Sequence, residues 1–427
     1  MLKKIFHRTY QNLREWNNVR SMLNEHNSLI IKSKNIKFSN DLKKLLILPC
    51  DPWSLDGSKG DEAMIQGMVE NLRHANNNLK IAIIVATPEA RTRAHKLGFE
   101  AISAWNCKLT EAISLIKEFS PDAMFVLGAD VMDGYYSPRT TARLLLLANL
   151  VANRGTRVAF TGYSFNANPS PLLKRVFSSI SSAVSLNARD PISLKRFKVF
   201  STATIDLVAD AAFLLTPDVT TPKVKEIADW ADQRRAAGDI VLGFNLHPTL
   251  IRNPTEQDAR NLIQSAITAI ASVSKAQAVS FLLISHDYRT RDNDDKCLKP
   301  IADNLSGELG VKLLYPTDRF SAAELKAIAG TTDGVVSGRM HLAIATLGMQ
   351  KPIAAITYQD KFQGLLQHFD YPKEFLLPAS EALEAKNLQE LIENFLNQIK
   401  PLTQIVIRNL PTVKILSKKN VDKLLGN

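Results

Sequence analysis

Ser337-Gly-Arg-Met-His-Leu-Ala-Ile-Ala345, running on through Gly348-Met-Gln-Lys-Pro352 to Tyr358-Gln-Asp-Lys361, decides the fold of this chain. Val335-Val336 closes an apolar run and Ser337-Gly338 breaks it. Leu342 to Leu347 then reads as an almost wholly apolar helix, and Pro352 to Ile356 as a second buried strand. Arg339 and His341 fall where the first strand turns into the helix, and Lys361 follows the next strand. Open α/β sheets bind ligands at the carboxyl ends of their strands. The free N–H groups of a helix start favour an anion there. The pattern therefore points to a phosphate or carboxylate site with a proton donor. Residues two apart do not share a helix face, so Arg339 and His341 serve one site only from the turn or the first helical turn. The plain alternative is a hydrogen-bonded core histidine beside a surface ion pair. Three polar groups at strand ends of an otherwise apolar βαβ unit favour function.

Outward from this unit the same alternation recurs. Leu45-Leu-Ile-Leu48, Ile81 to Ala86, Met124 to Ala129, Arg157 to Gly162 and Ala183 to Asn187 read as strands. Ala63 to Ala75, 109–119 and 138–154 read as helices between them. A second run begins at Ile240 and continues through Phe281 to Asp287, Val311 to Leu314, Gly334 to Val336 and Ile353 to Ile356. Strands alternating with helices predict parallel sheets covered on both faces. The expected fold class is α/β, with two Rossmann-like domains facing a cleft. Residues 1–44 form a basic helical extension, 45–215 the first domain, 216–238 a linker containing Thr216 to Pro222, 239–380 the second domain, and 381–427 terminal helices that cross back to the first domain. Leu13, Trp16, Val19, Met22 and Leu23 recur at helical spacing in the extension, which fits a helix packed on the first domain. The sharper alternative is a surface-seeking helix meeting anionic lipid.

A chain of 427 residues exceeds one ordinary core. Its net charge of +11 favours anionic partners: phosphate-bearing substrates, an anionic membrane surface or nucleic acid. Cys50, Cys107 and Cys297 are far apart and have no metal-finger spacing, which fits free thiols in a reducing cytoplasm. No apolar run approaches the ~20 residues of a spanning helix. The basic N-terminus lacks the long apolar stretch of a secretory signal. The expected location is cytoplasmic, with peripheral contact at the inner membrane face as its extension.

Other polar groups also sit at predicted strand ends. Gly57-x-x-Gly60-Asp61-Glu62 separates the first strand from the first helix. Its glycines allow close approach of backbone to a ligand, but it is neither G-x-G-x-x-G nor a P-loop. Asp61 reads equally as helix-start residue and site residue, and Glu62 as the former. Asp133 follows the Met124 strand. Asp190 reads as an N-cap with Pro191 at the first helical position, which leaves Arg189 to point into the cleft. His286-Asp287 ends a strand near Asp294-Asp295. An exposed loop explains those carboxylates as well as a metal does, and no metal is expected. There is no H-E-x-x-H and no G-x-S-x-G.

Taken together these residues resemble the polysaccharide pyruvyl transferase family. The closest stretch runs from Glu324-Leu-Lys-Ala-Ile-Ala-Gly-Thr-Thr-Asp333 through Ser337-Gly-Arg-Met-His341, Gly348 and Pro352 to Tyr358-x-x-Lys361. Gly60-Asp61-Glu62-Ala63, Asn187-Ala-Arg189-Asp190-x-x-Ser193, Val208-Ala-Asp210-Ala-Ala-Phe213 and Gly243-Phe-Asn-Leu246 support it, in the family's order, over roughly residues 45–370. Gly57-Ser-Lys-Gly60 and Leu127-Gly-Ala129 depart from the commoner forms, and both bear on acceptor identity. The resemblance implies two Rossmann-like domains of the glycosyltransferase-B type. It implies transfer of the pyruvyl unit of phosphoenolpyruvate, a co-substrate with no further cofactor, onto two hydroxyls of a sugar. That sugar belongs to a surface glycan or its lipid-linked oligosaccharide precursor.

The resemblance assigns donor binding to Arg189, Arg339, His341 and Lys361; the enol carbon of that donor must be protonated near neutral pH, which makes His341 the general acid. Ser337, Gly338, Tyr358, Gly60, Asp61 and Asp133 would line the substrate, with Asp61 and Asp133 as candidate bases. Replacing Arg339 is then expected to cost donor affinity and leave stability little changed. Three alternatives stand beside this reading: a nucleotide-sugar glycosyltransferase on the same fold, a charge-driven membrane-surface or nucleic-acid binder, and a family member that binds without transfer. Lysines and arginines spread over many segments rank nucleic acid low.

Overall fold

The apolar run Lys44-Leu-Leu-Ile-Leu48 forms a strand whose last four residues are buried. Burial on both faces is why it shows no polar alternation. In the computed structural model, which describes residues 2–30, 38, 41–55, 58–251, 255–289, 293–357 and 360–426, with side chains from Arg14 onward, that strand is β1 of a six-stranded parallel sheet. Its companions are β2 (Lys80–Ile84), β3 (Glu100–Ile102), β4 (Ala123–Val126), β5 (Arg157–Phe160) and β6 (Val184–Ser185), in the order β3-β2-β1-β4-β5-β6. A parallel pair, β7 (Asn187–Ala188) and β8 (Asp206–Leu207), lies apart from it. The helix Pro138–Ala152 is buried at every residue from Thr141 onward. It has no polar stripe because it has no exposed face.

A second six-stranded parallel sheet repeats the plan with β9 (Ile240–Asn245), β10 (Val279–Leu283), β11 (Leu313–Leu314), β12 (Gly334–Ser337), β13 (Ile353–Thr357) and β14 (Leu376–Pro378). Its order is β11-β10-β9-β12-β13-β14. Strand order therefore reverses between β9 and β12, and their last residues, Asn245 and Ser337, are register partners. Such a switch point leaves a crevice at the carboxyl edge.

The chain divides into two compact units. The first comprises residues 1–56, 68–211 and 416–427; the second comprises 57–67 and 212–415. This division differs from the expected boundaries in two ways. Residues 57–67, expected on the first domain, cluster with the second unit. Residues 216–238, expected as a linker, hold the helix Pro222–Ala236, whose Val224 and Ile227 enter the second unit's apolar cluster. Pro222 sits in that helix's first turn, where its missing N–H costs nothing. The helix Leu2–Leu29 packs on the first unit through buried Val19 and His26 and half-buried Met22 and Leu23. The side chain of Leu13 lies outside the described residues. The final helix, Ala385–Leu425, ends within the first unit. Among the described residues no helix is long and apolar enough to cross a membrane.

Candidate functional site

The turn after β12 is held by its own serine. Ser337 Oγ accepts from Arg339 N at 3.1 Å and donates to Arg339 O at 2.7 Å. Arg339 stays extended as the helix cap, and His341 enters the first turn of the helix Met340–Gly348. This is the geometry in which residues two apart reach one region. The Ser337 hydroxyl is buried and engaged in the turn, so it shapes the site rather than lining it.

Arg339 is clamped from within the second unit. Its Nε and Nη2 donate to Asp294 Oδ1 at 2.9 and 2.7 Å, and Nη1 lies 3.4 Å from Asp287 Oδ2. Asp294 is fully buried and also accepts from His286 N and Asn245 Nδ2, at 2.9 and 2.8 Å. Burial pushes the Asp294 carboxyl up from its ordinary value, and Arg339 pulls it down. The expectation that replacing Arg339 leaves stability little changed is corrected: three of its nitrogens tie the end of β12 to the segment after β10.

Gly60 is where the other half of this region enters. A methyl group at Gly60 would come 2.1 Å from His341 Nδ1. The glycine therefore admits the His341 ring, where sequence reading had it admit a ligand. Beside it, Lys59 Nζ pairs with Glu62 Oε2 at 2.7 Å and lies 5.6 Å above the Tyr288 ring, while Glu62 Oε1 accepts from Ala322 N at 2.8 Å. Lys59 is buried to 6% exposure. Asp61 is half-buried on the same first turn of the helix Lys59–Ala75.

Two buried histidines complete the cluster. His247, just past β9, donates from Nε2 to Gly338 O at 2.9 Å, so Nδ1 accepts from Thr249 Oγ1 at 2.9 Å. His286 follows β10. Burial first, then neighbouring positive charge, holds both well below the ordinary histidine value: Arg339 and Lys361 act on His247, and His341, Arg339 and Lys59 act on His286. Both are neutral near pH 7. His247 was missed from sequence, although it stands two residues beyond the end of β9 as Arg339 does beyond β12, and the strand-end rule would have flagged it.

Of the expected site residues, Gly60, Asp61, Ser337, Gly338, Arg339, His341 and Lys361 belong to the second unit. Lys361 opens the helix Lys361–Gln367 and is half-buried. Tyr358 lies outside the described residues. Arg189 and Asp133 belong to the first unit, and both are committed there. Arg189 is buried, donating from Nε to Ser164 Oγ at 2.8 Å and from Nη1 to Asp210 Oδ2 at 2.9 Å; it does not stand open to a ligand. Asp133 has no exposed surface and accepts from Tyr135 N, Asn166 N and Asn166 Nδ2. Burial pushes its carboxyl up. Asp190 caps its helix, accepting from Ser193 N at 2.8 Å.

Residues 59–360 match the family described as polysaccharide pyruvyl transferase. No curated protein sequence matches the chain. Among solved structures it is similar to a UDP-GlcNAc 2-epimerase from Neisseria meningitidis bound to UDP-GlcNAc, at 14% identity and TM-score 0.56, covering 90% of this chain and 100% of that one. It is also similar to a glycosyltransferase from Rickettsia africae, at 11% identity and TM-score 0.53, covering 90% and 97%. A trehalose 6-phosphate synthase from Burkholderia multivorans aligns at 10% identity and TM-score 0.52, covering 90% and 98%. At these identities the likeness shows the fold: two parallel-sheet α/β units of the glycosyltransferase-B type.

Proposed function

The chain belongs to the polysaccharide pyruvyl transferase family, and on that premise we propose that it moves the pyruvyl unit of phosphoenolpyruvate onto two hydroxyls of a sugar, in a surface polysaccharide or its lipid-linked precursor. The observation that carries this reading is the gathering of His341, Arg339, Lys59 and Lys361 around two neutral, buried histidines at the carboxyl edge of the second sheet. Phosphoenolpyruvate brings a carboxylate and a phosphate that together carry about two and a half to three negative charges near neutrality. Such a ligand suits a cation-rich crevice at the switch point where anions bind.

In this reaction the enol CH2 takes a proton and becomes CH3, leaving the adjacent carbon electrophilic. One sugar hydroxyl adds there and releases its proton. The C–O bond to phosphate breaks, the second hydroxyl adds, and phosphate leaves with a proton. Two hydroxyl protons thus balance the one on carbon and the one on phosphate. His341 is the group we assign to protonate the CH2 carbon. Lys361 and the Arg339 charge stabilise the departing phosphate. Asp61, next to the glycine that carries the His341 ring, is the assigned base. Asp133 has no exposed surface with which to meet an acceptor. No cofactor is required.

His341→Gln is the test. It keeps shape and hydrogen bonding but cannot supply the proton. Phosphate release with an active acceptor falls about 10²–10⁴-fold, while calorimetric binding of phosphoenolpyruvate persists. Turnover near the wild-type rate removes His341 from the chemistry. Competition by a UDP-sugar in place of phosphoenolpyruvate moves the reading to a nucleotide-sugar transferase.

A further inference from the structure

The last helix, Ala385–Leu425, has two unlike faces. Leu402, Val406, Leu410 and Val413 are buried at 2% exposure or less, three or four residues apart, and fix the inner face. Opposite them Lys400, Arg408, Lys414, Lys418 and Lys419 are all exposed. From Asn394 to Val421 the sequence contains these five cations and no aspartate or glutamate. At ~100° per residue all five fall within one arc of about 140°, spread along ~28 Å of helix. Among them stand Ile407, 40% exposed, and Ile415, 65% exposed. A single exposed aliphatic is ordinary. Two on one face that carries five cations, with Asp422 the acid one turn beyond Lys418, are the composition of a helix that lies in a membrane interface.

We propose that this face docks the protein on an anionic phospholipid bilayer. Charge complementarity selects a negatively charged surface, and the isoleucines select a bilayer over nucleic acid. A phosphate backbone would use the cations and leave Ile407 and Ile415 in water, and the face has no aromatic ring on which a base could stack. Acyl chains take the isoleucines while headgroups take the lysines. The inference is independent of the donor chemistry.

The experiment uses the full chain and sucrose-loaded vesicles of phosphatidylcholine, alone or mixed with phosphatidylglycerol. The protein sediments with the mixed vesicles only, and added salt releases it. Lys414→Gln/Lys418→Gln/Lys419→Gln weakens partitioning about 10²-fold, at about fivefold per charge. Ile407→Ser/Ile415→Ser weakens it about tenfold on the same vesicles. These positions are exposed, and unchanged melting curves confirm that each variant folds. Equal binding to both vesicle types, or undiminished binding by the lysine variant, overturns the proposal. So does tighter binding of a DNA duplex than of the mixed vesicles, with the isoleucine variant unaffected.

Discussion

Arg339→Ala removes the cation that faces Asp294. The structure adds a stability change to the expected affinity change. Two charge-assisted hydrogen bonds, at 2.9 and 2.7 Å, disappear from a carboxylate with no exposed surface. Breaking a buried ion pair by deleting one partner typically costs about 3–5 kcal/mol. His286 N and Asn245 Nδ2 still donate to Asp294, so about 3 kcal/mol is expected. For a domain of this size that lowers Tm by roughly 6–12 °C.

The pH dependence has a definite sign. Burial already raises the folded-state pKa of Asp294, and Arg339 opposes that rise. Without Arg339 the folded pKa climbs further above the unfolded one. The folded state then holds more protons than the unfolded, so stability falls as pH rises between the two values. The deficit of Arg339→Ala is therefore smallest in acid, grows toward neutrality and levels off above the folded pKa. Asp294→Asn added to Arg339→Ala removes the stranded charge and recovers at least about 1 kcal/mol. Scanning calorimetry across pH, with phosphoenolpyruvate titrations at each point, measures both effects. A Tm change under about 2 °C, or a deficit that grows in acid, refutes the argument. If the double variant restores donor affinity as well as stability, Arg339 positions the strand ends without touching the donor.

Gly60→Ala forces a methyl group against the His341 ring; a loss of about 1–3 kcal/mol in stability and a larger proportional loss in turnover are expected, read by melting and phosphate release. Arg189→Ala leaves Asp210 buried without its guanidinium; urea unfolding should show about 3–5 kcal/mol of destabilisation, while phosphoenolpyruvate affinity in the folded fraction stays within about twofold of wild type.

The sequence by itself determined the class of fold. Central strands such as β1, β4, β9 and β12 are buried along nearly their whole length, and the resulting apolar runs are visible wherever the chain must be dry on both faces. The edge strands β3 and β14 escaped, because three residues with an exposed Glu100 or a proline carry no such pattern. Pro222 reads as a linker signal in the sequence and marks a helix start in the fold. The strand-end rule also located Arg339 and His341, since their turn is built from local hydrogen bonds of Ser337.

What those side chains touch was decided by tertiary structure alone. Arg339 meets Asp294 from 45 residues away, and Gly338 O accepts a hydrogen bond from His247 across 91. Gly60 abuts His341 across a still larger gap in sequence. Arg189 shows the same limit in reverse: nothing local distinguishes an arginine that faces a ligand from one that buried Asp210 has already claimed. The physical reason is that backbone turns and apolar periodicity are properties of neighbouring residues. The partner of a buried charge is set by which strand ends the sheet order brings together.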